Sequence, residues 1–400
     1  ASTAPTPGPG MADQATAASD ALAGERLRGD DPDVSRVWNI TPAMRGFRGR
    51  ESEIAAIRGA LDAASTGGPT VAVAAVHGIA GVGKTQLVRA FAERYRQDYQ
   101  LGWWVAAETR LEMVTGLGQL AVRLGAMEEW SSAELLTYVF EHLRRRDSWL
   151  LVLDNATGPV DVEPFIPPAG GSGAHVVLTS RNPTWRLLAA EVPVDVLALD
   201  AATELLQGHG PQEPQEVARR LAQELGQLPL AVAQAAAYTA EAEISTGQYL
   251  ELFRRGRTRL LGCGRALSYP STVVTAVTLS LERLVKVNPM ARRLLEVCAL
   301  YAPDHLPMRE ILTALRAVDQ RTRDEDTRTH PPQRASGAIE VLEVLRALRQ
   351  SGLLAVEDEE SVRLHRLTRL IVEDHTRAVT ERLQEAVDVL VALFPDTRSE

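Results

Sequence analysis

Short apolar runs alternate with helical patterns over the first half of the chain. The runs without helical period cover residues 70–77, 102–106, 149–153, 175–179 and 192–197. Between them, apolar side chains recur at three- and four-residue spacing, as over 111–124 and 133–143. Unbroken apolar runs are typical of parallel strands that helices cover on both faces. The pattern predicts an α/β domain with a five-stranded parallel sheet over residues 37–198.

The periodicity changes after residue 198. Residues 199–268 carry only helical patterns, and Pro229 interrupts them, either as the first residue of a helix or as a kink. Further helical patterns over 291–300, 309–315 and 341–348 precede two apolar segments, 352–356 and 361–365, that flank an acidic turn at 357–360. This is the pattern of a hairpin. Three helices and a hairpin predict a winged-helix domain over residues 269–375.

Three segments fall outside these domains or interrupt them. Residues 1–36 are rich in Ala, Pro, Gly and Ser with few large apolar side chains, which predicts a disordered linker. The polar, charged residues 316–337 predict a mobile loop. Residues 381–394 form an amphipathic helix with apolar residues on several sides. We therefore expect residues 376–400 to begin a following helical region of a longer polypeptide.

A phosphate-binding loop follows the first predicted strand. Residues 78–85, Gly-Ile-Ala-Gly-Val-Gly-Lys-Thr, fit the pattern G-x-x-x-x-G-K-[ST] at every fixed position. Glycines let the backbone N–H groups turn inward, and the N-terminus of the following helix adds positive potential. Lys84 supplies a charge and Thr85 a hydroxyl for Mg²⁺. Strand, loop and helix are in register, which disfavours the alternative of a chance Gly-rich turn, so we expect a nucleoside triphosphate or its product.

Two other predicted strands end in residues suited to the same ligand. Asp154 follows the run 149–153, where such folds place a carboxylate that organises Mg²⁺. Arg181 follows the run 175–179 and would project into the same crevice to contact the terminal phosphate. The alternative for Arg181 is a surface arginine in a loop. The catalytic candidates are therefore Asp154 and Arg181, and the metal-binding candidates are Thr85 and Asp154.

Composition and charge restrict the function classes. The net charge of −9 argues against a chain that mainly coats nucleic acid or an anionic membrane. No apolar run approaches the roughly 20 residues that cross a bilayer. Cys263 and Cys298 have no metal or disulfide spacing. These features predict a cytoplasmic protein with no membrane partner.

In this order, the motifs resemble those of the NB-ARC branch of the signal-transduction ATPases with numerous domains (STAND), over about residues 37–375. The segment 47–51 is similar to the family's F-x-G-R-E motif, which implies that Phe47, Gly49 and Arg50 line the adenine. Composition alone would make Phe47 a hydrophobic staple and Arg50 a solvated charge. The phosphate-loop match implies that the following residues hold the phosphates: Gly81, Val82, Gly83, Lys84, Thr85 and Gln86.

The resemblance continues into the C-terminal half. Residues 226–231 are close to the motif G-L-P-L-A, which implies that Pro229 packs on the adenine face and that Leu230 beside it belongs to the nucleotide site. Leu364-His365-Arg366 falls where the family has Met-His-Asp, which implies that His365 reaches the β-phosphate. The alternative for His365 is a satisfied histidine in a domain core.

Two residues depart from the family's pattern. Asn155 stands where the family often has a second acid after the Walker B aspartate, so a general base for water is not obvious and hydrolysis should be slow or dependent on assembly. Arg366 replaces the aspartate of Met-His-Asp, which leaves His365 as the functional half of that motif.

The resemblance implies an adenine-nucleotide switch. ADP would close the α/β, helical and winged-helix domains, ATP with Mg²⁺ would permit self-association, and a C-terminal helical-repeat sensor would follow this chain. A second hypothesis is a regulator that binds DNA through the winged helix, for which the basic clusters 144–146 and 254–259 are candidates. Short basic clusters are usually solvated faces, so we do not expect DNA as a partner. A third hypothesis, a housekeeping NTPase with fast turnover, is disfavoured by Asn155.

Overall fold

The computed structural model describes most of the chain after residue 36. The described residues are 37–44, 47–65, 71–168, 170–171, 173–207, 214–256, 261–262, 272–301, 306–326, 337–356, 361–376 and 380–393. By compactness the chain divides into residues 1–37 and residues 38–400. The described helices and strands lie in the second unit, apart from Val37, a strand residue at the boundary between the units. The predicted linker at 1–36 and the acidic turn at 357–360 lie outside the described residues.

An α/β domain occupies the N-terminal part of this unit. Its strands are β1 (Val37–Trp38), β2 (Ala72–His77), β3 (Leu101–Ala106), β4 (Ser148–Ala156), β5 (Gly173–Ser180) and β6 (Ala190–Pro193). Its helices are α1 (Glu51–Ser65), α2 (Lys84–Arg94), α3 (Arg110–Arg123), α4 (Ser132–Arg144) and the short α5 (Pro159–Val162). Capping boxes begin α3 and α4, at Thr109 with Glu112 and at Ser131 with Glu134.

The strand order is β1-β3-β4-β5-β2-β6, and β2 to β6 pair in parallel. The five predicted parallel strands are therefore present, but the sheet has six strands because β1 adds an edge. A strand of two residues is too short to give a periodic signal. The last parallel strand covers 190–193 rather than the predicted 192–197. Because the strands are parallel, the segments that follow β2, β4 and β5 meet at one edge of the sheet.

Between residues 199 and 255 the described residues form helices and no strands. The helices are α6 (Leu199–Gln207), α7 (Gln215–Glu224), α8 (Pro229–Glu241) and α9 (Thr246–Arg255). Pro229 is the first residue of α8, which confirms the first of the two predictions for it. Helix α6 packs against α7 and α8.

The C-terminal region combines helices with a small antiparallel sheet. Its elements are α10 (Val273–Val287), α11 (Pro289–Ala299), β7 (Leu306–Pro307), α12 (Met308–Asp326), α13 (Gly337–Gln350), β8 (Leu354–Val356), β9 (Ser361–Leu364), α14 (Arg366–Thr376) and α15 (Thr380–Leu393). The sheet order is β7-β9-β8, and the predicted hairpin is present as β8 and β9. The predicted mobile loop is wrong for residues 316–326, which continue α12, whereas 327–336 lie outside the described residues. The polar composition of this segment gives no hydrophobic periodicity, so the helix was missed. Arg, Gln and Glu are nevertheless good helix formers.

Helix α15 packs on its own chain through one face. Ala386 and Val389 are buried, and the Tyr301 hydroxyl donates a hydrogen bond to the Ala386 carbonyl at 2.7 Å. Val387 and Val391 are exposed on the opposite side. One hydrophobic cluster extends from Ile40 to Val389, so the core is continuous across the predicted domain boundaries at 198, 268 and 375.

Candidate nucleotide site

The phosphate loop connects β2 to α2. Gly81 and Gly83 have φ of 80° and 92°, which L side chains rarely adopt. Gly83 is the N-cap of α2 and offers no side-chain cap, so the first N–H groups of this helix are left for an anion. The loop therefore has the backbone geometry that phosphate binding needs.

Lys84 bends back over this loop. Its Nζ donates hydrogen bonds to the carbonyls of Gly78 at 2.8 Å and Ile79 at 2.9 Å. Desolvation and the nearby charge of Arg181 lower the pKa of Lys84, Asp154 raises it, and the net value is about 7. A phosphate at this position would favour the ammonium form and compete with the two carbonyls for it.

Three oxygen ligands meet where β4 ends. Thr85 Oγ1 and Thr179 Oγ1 donate hydrogen bonds to Oδ1 of Asp154, at 3.0 and 2.5 Å. Hydroxyl and carboxylate oxygens are the donors that Mg²⁺ prefers, and it usually takes only one or two protein ligands beside phosphate and water. The residues present therefore fit the ion, and Thr85 and Asp154 would be its ligands. Among the described residues there is no group of three or more His, Cys, Asp or Glu side chains that could hold a metal by themselves.

The F-x-G-R-E segment is fastened to the phosphate loop. Arg50 is only 4% exposed, so its reading as a solvated charge is wrong. Its guanidinium donates to the carbonyls of Asp195 at 2.7 Å and Val82 at 3.4 Å and pairs with Glu53. Phe47 packs at the edge of the core. Arg50 thus fixes the loop from outside through the carbonyl of Val82.

Two further residues of the predicted site hold neighbouring segments in place. Gln86 is buried and its Oε1 accepts a hydrogen bond from the Met44 N–H at 2.9 Å. Gly49 has φ of 73°, and a β-carbon there would lie 2.8 Å from that of Ala201 in α6. The segment before α1 is therefore packed between α2 and α6.

The start of α8 contacts the phosphate loop directly. The Leu230 N–H donates to the Gly81 carbonyl at 3.1 Å, and the Pro229 ring lies beside Gly83. Both residues are buried. Pro229 and Leu230, predicted for the nucleotide site, are thus adjacent to the residues predicted to hold the phosphates.

His365 reaches the loop before α8. Its Nε2 lies 3.0 Å from the Gly226 carbonyl, and its Nδ1 accepts a hydrogen bond from the Leu367 N–H at 3.2 Å. A carbonyl can only accept, so Nε2 carries the proton and the ring is neutral. Burial lowers the pKa of His365, and Arg366 and Arg363 lower it further against the hydrogen bond to Gly226. Gly226 has φ of 63°, and a β-carbon there would lie 2.7 Å from Nε2, so this approach requires glycine.

Arg366 supports the same contact. It donates to the Gln223 carbonyl and pairs with Glu224 at 3.4 Å, at the C-terminus of α7. A cation is favoured at a helix C-terminus. The residue that departs from Met-His-Asp therefore joins α14 to α7, a role that the sequence did not indicate.

Arg181 and the phosphate loop both contact the C-terminal region. Arg181 Nη1 donates to the Ser280 hydroxyl of α10 at 2.6 Å. Burial lowers the pKa of Arg181, and Arg283 lowers it further while Glu108 raises it. Separately, the Ala80 N–H donates to the Gly352 carbonyl at 3.0 Å. The structure thus places Arg181 against α10, half-buried and near enough to Lys84 to affect its pKa.

A carboxylate that the sequence analysis missed lies beside Asn155. Asn155 Nδ2 donates to Oε2 of Glu108 at 2.8 Å, and Arg283 of α10 pairs with Glu108. Only the pairing of β3 with β4 brings Glu108 next to Asn155, so no local pattern could have identified it.

The arginines of the basic clusters are partly engaged within the chain. Arg254 pairs with Glu224 at 3.6 Å and Arg255 with Glu251 at 3.3 Å. Burial lowers the pKa of Arg146. Residues 257–260 lie outside the described residues. Over the described part of the chain, no helix is long and apolar enough to cross a membrane.

Comparison with known proteins gives the same type of domain. Residues 46–243 match the family described as the AAA ATPase domain. A Walker-type ATPase of Pyrococcus abyssi has a similar fold, with a TM-score of 0.55 and 15% identity over 84% of this chain and 99% of that one. The chain therefore contains a nucleotide-binding ATPase domain with a P-loop.

Two curated proteins are similar to it in sequence. One is a nucleotide-binding leucine-rich repeat (NLR)-like protein of Hyaloscypha variabilis, 23% identical over 79% of this chain. The other is a disease resistance protein of Arabidopsis thaliana, 30% identical over 39% of this chain. The aligned parts span 34% of the first protein and 18% of the second.

Proposed function

We propose that this chain is a nucleotide-dependent switch of the STAND type. In this proposal ADP holds the ATPase domain, helices α6–α9 and the C-terminal region in one closed arrangement. Exchange for ATP with Mg²⁺ opens that arrangement and permits self-association. One observation carries the proposal: neighbouring residues of the phosphate loop bond to both other regions, Gly81 to Leu230 and Ala80 to Gly352.

The coupling follows from which backbone groups are shared. The Lys84 ammonium binds the carbonyls of Gly78 and Ile79, and the next N–H along the chain, that of Ala80, bonds to Gly352. A phosphate that takes over the ammonium changes the hydrogen bonding of the loop beside that contact. Because a ligand shifts a conformational equilibrium by its differential affinity for the two states, ADP and ATP can favour different arrangements.

Polar contacts support opening at the C-terminal region. His365 bonds to Gly226, Arg366 to Gln223, and Arg363 pairs with Asp195 at 3.2 Å. Such contacts exchange readily for water once the regions separate, so their net contribution to closure is modest. The similarity to an NLR-like protein and a disease resistance protein also favours a receptor role.

Native mass spectrometry and small-angle scattering test the switch. The purified chain should retain one ADP, and its scattering profile should expand when ATP with Mg²⁺ replaces ADP. Light scattering should give a monomer with ADP. A protein that purifies free of nucleotide, or that has the same profile with ADP and with ATP, contradicts the switch. Lys286→Ala, which changes an exposed lysine of α10, is a matched control for surface charge.

A further inference from the structure

Strand pairing places a carboxylate where the Walker B strand lacks its second acid. Ala106 of β3 pairs with Asp154 of β4, and the Ala107 N–H donates to the Asp154 carbonyl at 2.7 Å. Glu108 follows directly, at the same edge of the sheet, and its Oε2 accepts a hydrogen bond from Asn155 Nδ2 at 2.8 Å. Asparagine has no group that accepts a proton at neutral pH, whereas the carboxylate beside it does.

We propose that Glu108 is the general base for ATP hydrolysis and that Asn155 is its positioning residue. The inference rests on the proposed function only in requiring ATP at the phosphate loop. A water oxygen bonds to the γ-phosphorus while one water proton passes to the Glu108 carboxylate. The bond from the γ-phosphorus to the oxygen bridging to the β-phosphate breaks, and its electron pair stays on that oxygen. The products are ADP and inorganic phosphate, without oxidation or reduction.

The amide that orients Glu108 is itself held in one geometry. Asn155 has φ of 67°, a left-handed conformation that asparagine tolerates better than most residues. Its backbone N–H donates to Thr179 Oγ1 at 2.8 Å, and the same hydroxyl donates to Asp154. With its backbone fixed, Asn155 must direct its amide nitrogen at Glu108, because its amide oxygen would face a carboxylate.

The C-terminal region holds this carboxylate in the present arrangement. Arg283 of α10 pairs with Glu108, and Ser280, one turn before it, binds Arg181 at 2.6 Å. These side chains and Asn155 line a cavity of about 210 Å³. Arg283 occupies Oε1 of Glu108 and the Asn155 amide occupies Oε2, so an attacking water must compete for either oxygen. Closure by α10 therefore restrains the base, and opening releases it.

A purely structural ion pair explains the arrangement less well. The side chains of Glu108 and Arg283 are 32% and 52% exposed. Ion pairs this exposed contribute little to stability. A surface ion pair would also not explain why Asn155 donates a hydrogen bond to Glu108 or why Glu108 lies beside Asp154.

Single-turnover hydrolysis and ATP binding, measured on the same variants, test the inference. Glu108→Gln should lower the single-turnover rate by roughly 100-fold, the usual range for a general base. Its ATP affinity by calorimetry should stay within about twofold, since a base contributes to the transition state rather than to ground-state binding. The purified variant should carry ATP in place of ADP. Arg283→Gln should raise the rate several-fold. Glu129→Gln and Lys286→Gln, at an exposed glutamate and an exposed lysine, are the matched controls.

An exchange of the amide and the carboxylate separates chemistry from folding. Glu108→Gln combined with Asn155→Asp moves the acid to the adjacent, hydrogen-bonded side chain and should recover part of the lost rate. A Glu108→Gln protein that hydrolyses ATP like the wild type overturns the inference. Equal losses of affinity and rate without recovery in the exchange variant also overturn it. If wild-type protein binds ATP but never cleaves it, Glu108 is not a general base, although the proposed switch still stands. If calorimetry detects no ATP binding, both the general base and the switch are contradicted.

Discussion

Thr179 donates a hydrogen bond to Oδ1 of Asp154 at 2.5 Å and accepts one from the Asn155 N–H at 2.8 Å. Thr179 therefore orients the side chain of Asp154 and the backbone of Asn155 at the end of β4. Thr85 reaches the same Oδ1 from the phosphate loop at 3.0 Å. Strand β5 thus sets the direction of the acid that is proposed to hold Mg²⁺.

Thr179→Val should weaken Mg²⁺-dependent ATP binding about tenfold, because residues that orient a metal ligand typically contribute that much to metal affinity. Calorimetry with ATP in Mg²⁺ and in EDTA measures the effect, and the EDTA values should stay close to wild type. Thr137→Val, at an exposed threonine of α4, is the control. An unchanged ratio of the two affinities would argue that Thr179 has no part in the metal site.

Lys84→Ala should abolish detectable nucleotide binding. Without the ammonium, the β- and γ-phosphates lose their main neutralising charge in a desolvated site. Calorimetry with ADP and with ATP measures this, and Lys286→Ala serves as the control for loss of an exposed lysine. Wild-type affinity in Lys84→Ala would show that the loop binds no phosphate through this side chain.

Nucleotide binding should take up a proton at pH 8. The pKa of Lys84 is about 7 in this structure, so most of the free protein has a neutral amine at pH 8. Phosphate raises that pKa, and binding then protonates the amine. Calorimetry of ADP binding in buffers of different ionisation enthalpy counts the protons. Uptake should approach one at pH 8 and fall at pH 6, where the free protein already carries the charge. Absence of uptake at pH 8 would mean that Lys84 stays charged without nucleotide.

His365→Ala should loosen closure and speed ADP release. The variant loses the hydrogen bond to Gly226, and a coupling of about 1–3 kcal/mol is expected between a bound nucleotide and a contact of this kind. Stopped-flow release of a fluorescent ADP and small-angle scattering of the ADP form measure the change. His375→Ala, at an exposed histidine of α14, should behave like the wild type. If His365→Ala has the wild-type shape and release rate, this contact does not hold the closed form.

Steady-state ATP turnover by the isolated chain should be well below about 10 per second, the middle of the ordinary enzyme range. Asn155 cannot accept a proton from water, and the carboxylate beside it is paired with Arg283. A coupled assay for released phosphate measures the rate. Turnover at or above the ordinary range would refute a restrained site.

Sequence patterns predicted the parts of the site that a single segment encodes. The loop 78–85 and the acid Asp154 are local signals, because strand, loop and helix must be contiguous for the chemistry. Pro229 as a helix start is equally local. The edge strand β1 and the continuation of α12 to Asp326 escaped prediction, because the first is too short and the second too polar for hydrophobic periodicity to register.

Contacts between segments distant in sequence were not predictable in the same way. Glu108 lies beside Asn155 only because β3 pairs with β4. Arg366 binds the C-terminus of α7 only because the tertiary structure places α7 beside it. Arg50 looked like an exposed charge because composition carries no information on which carbonyls surround a side chain. Its binding to Val82 and Asp195 depends on the packing of α1 beside the loop.

The bond between Ala80 and Gly352 has a consequence for genetics. The bond joins the Ala80 N–H to the Gly352 carbonyl, two main-chain groups. Alanine substitutions at most positions therefore leave the bond intact. Position 352 is the exception. Its φ is 68°, and a β-carbon there would lie 2.6 Å from that of Arg181. If the chain is the proposed switch, a random screen for variants that open without ATP should recover substitutions of Gly352, whereas a scan that only shortens side chains misses this contact.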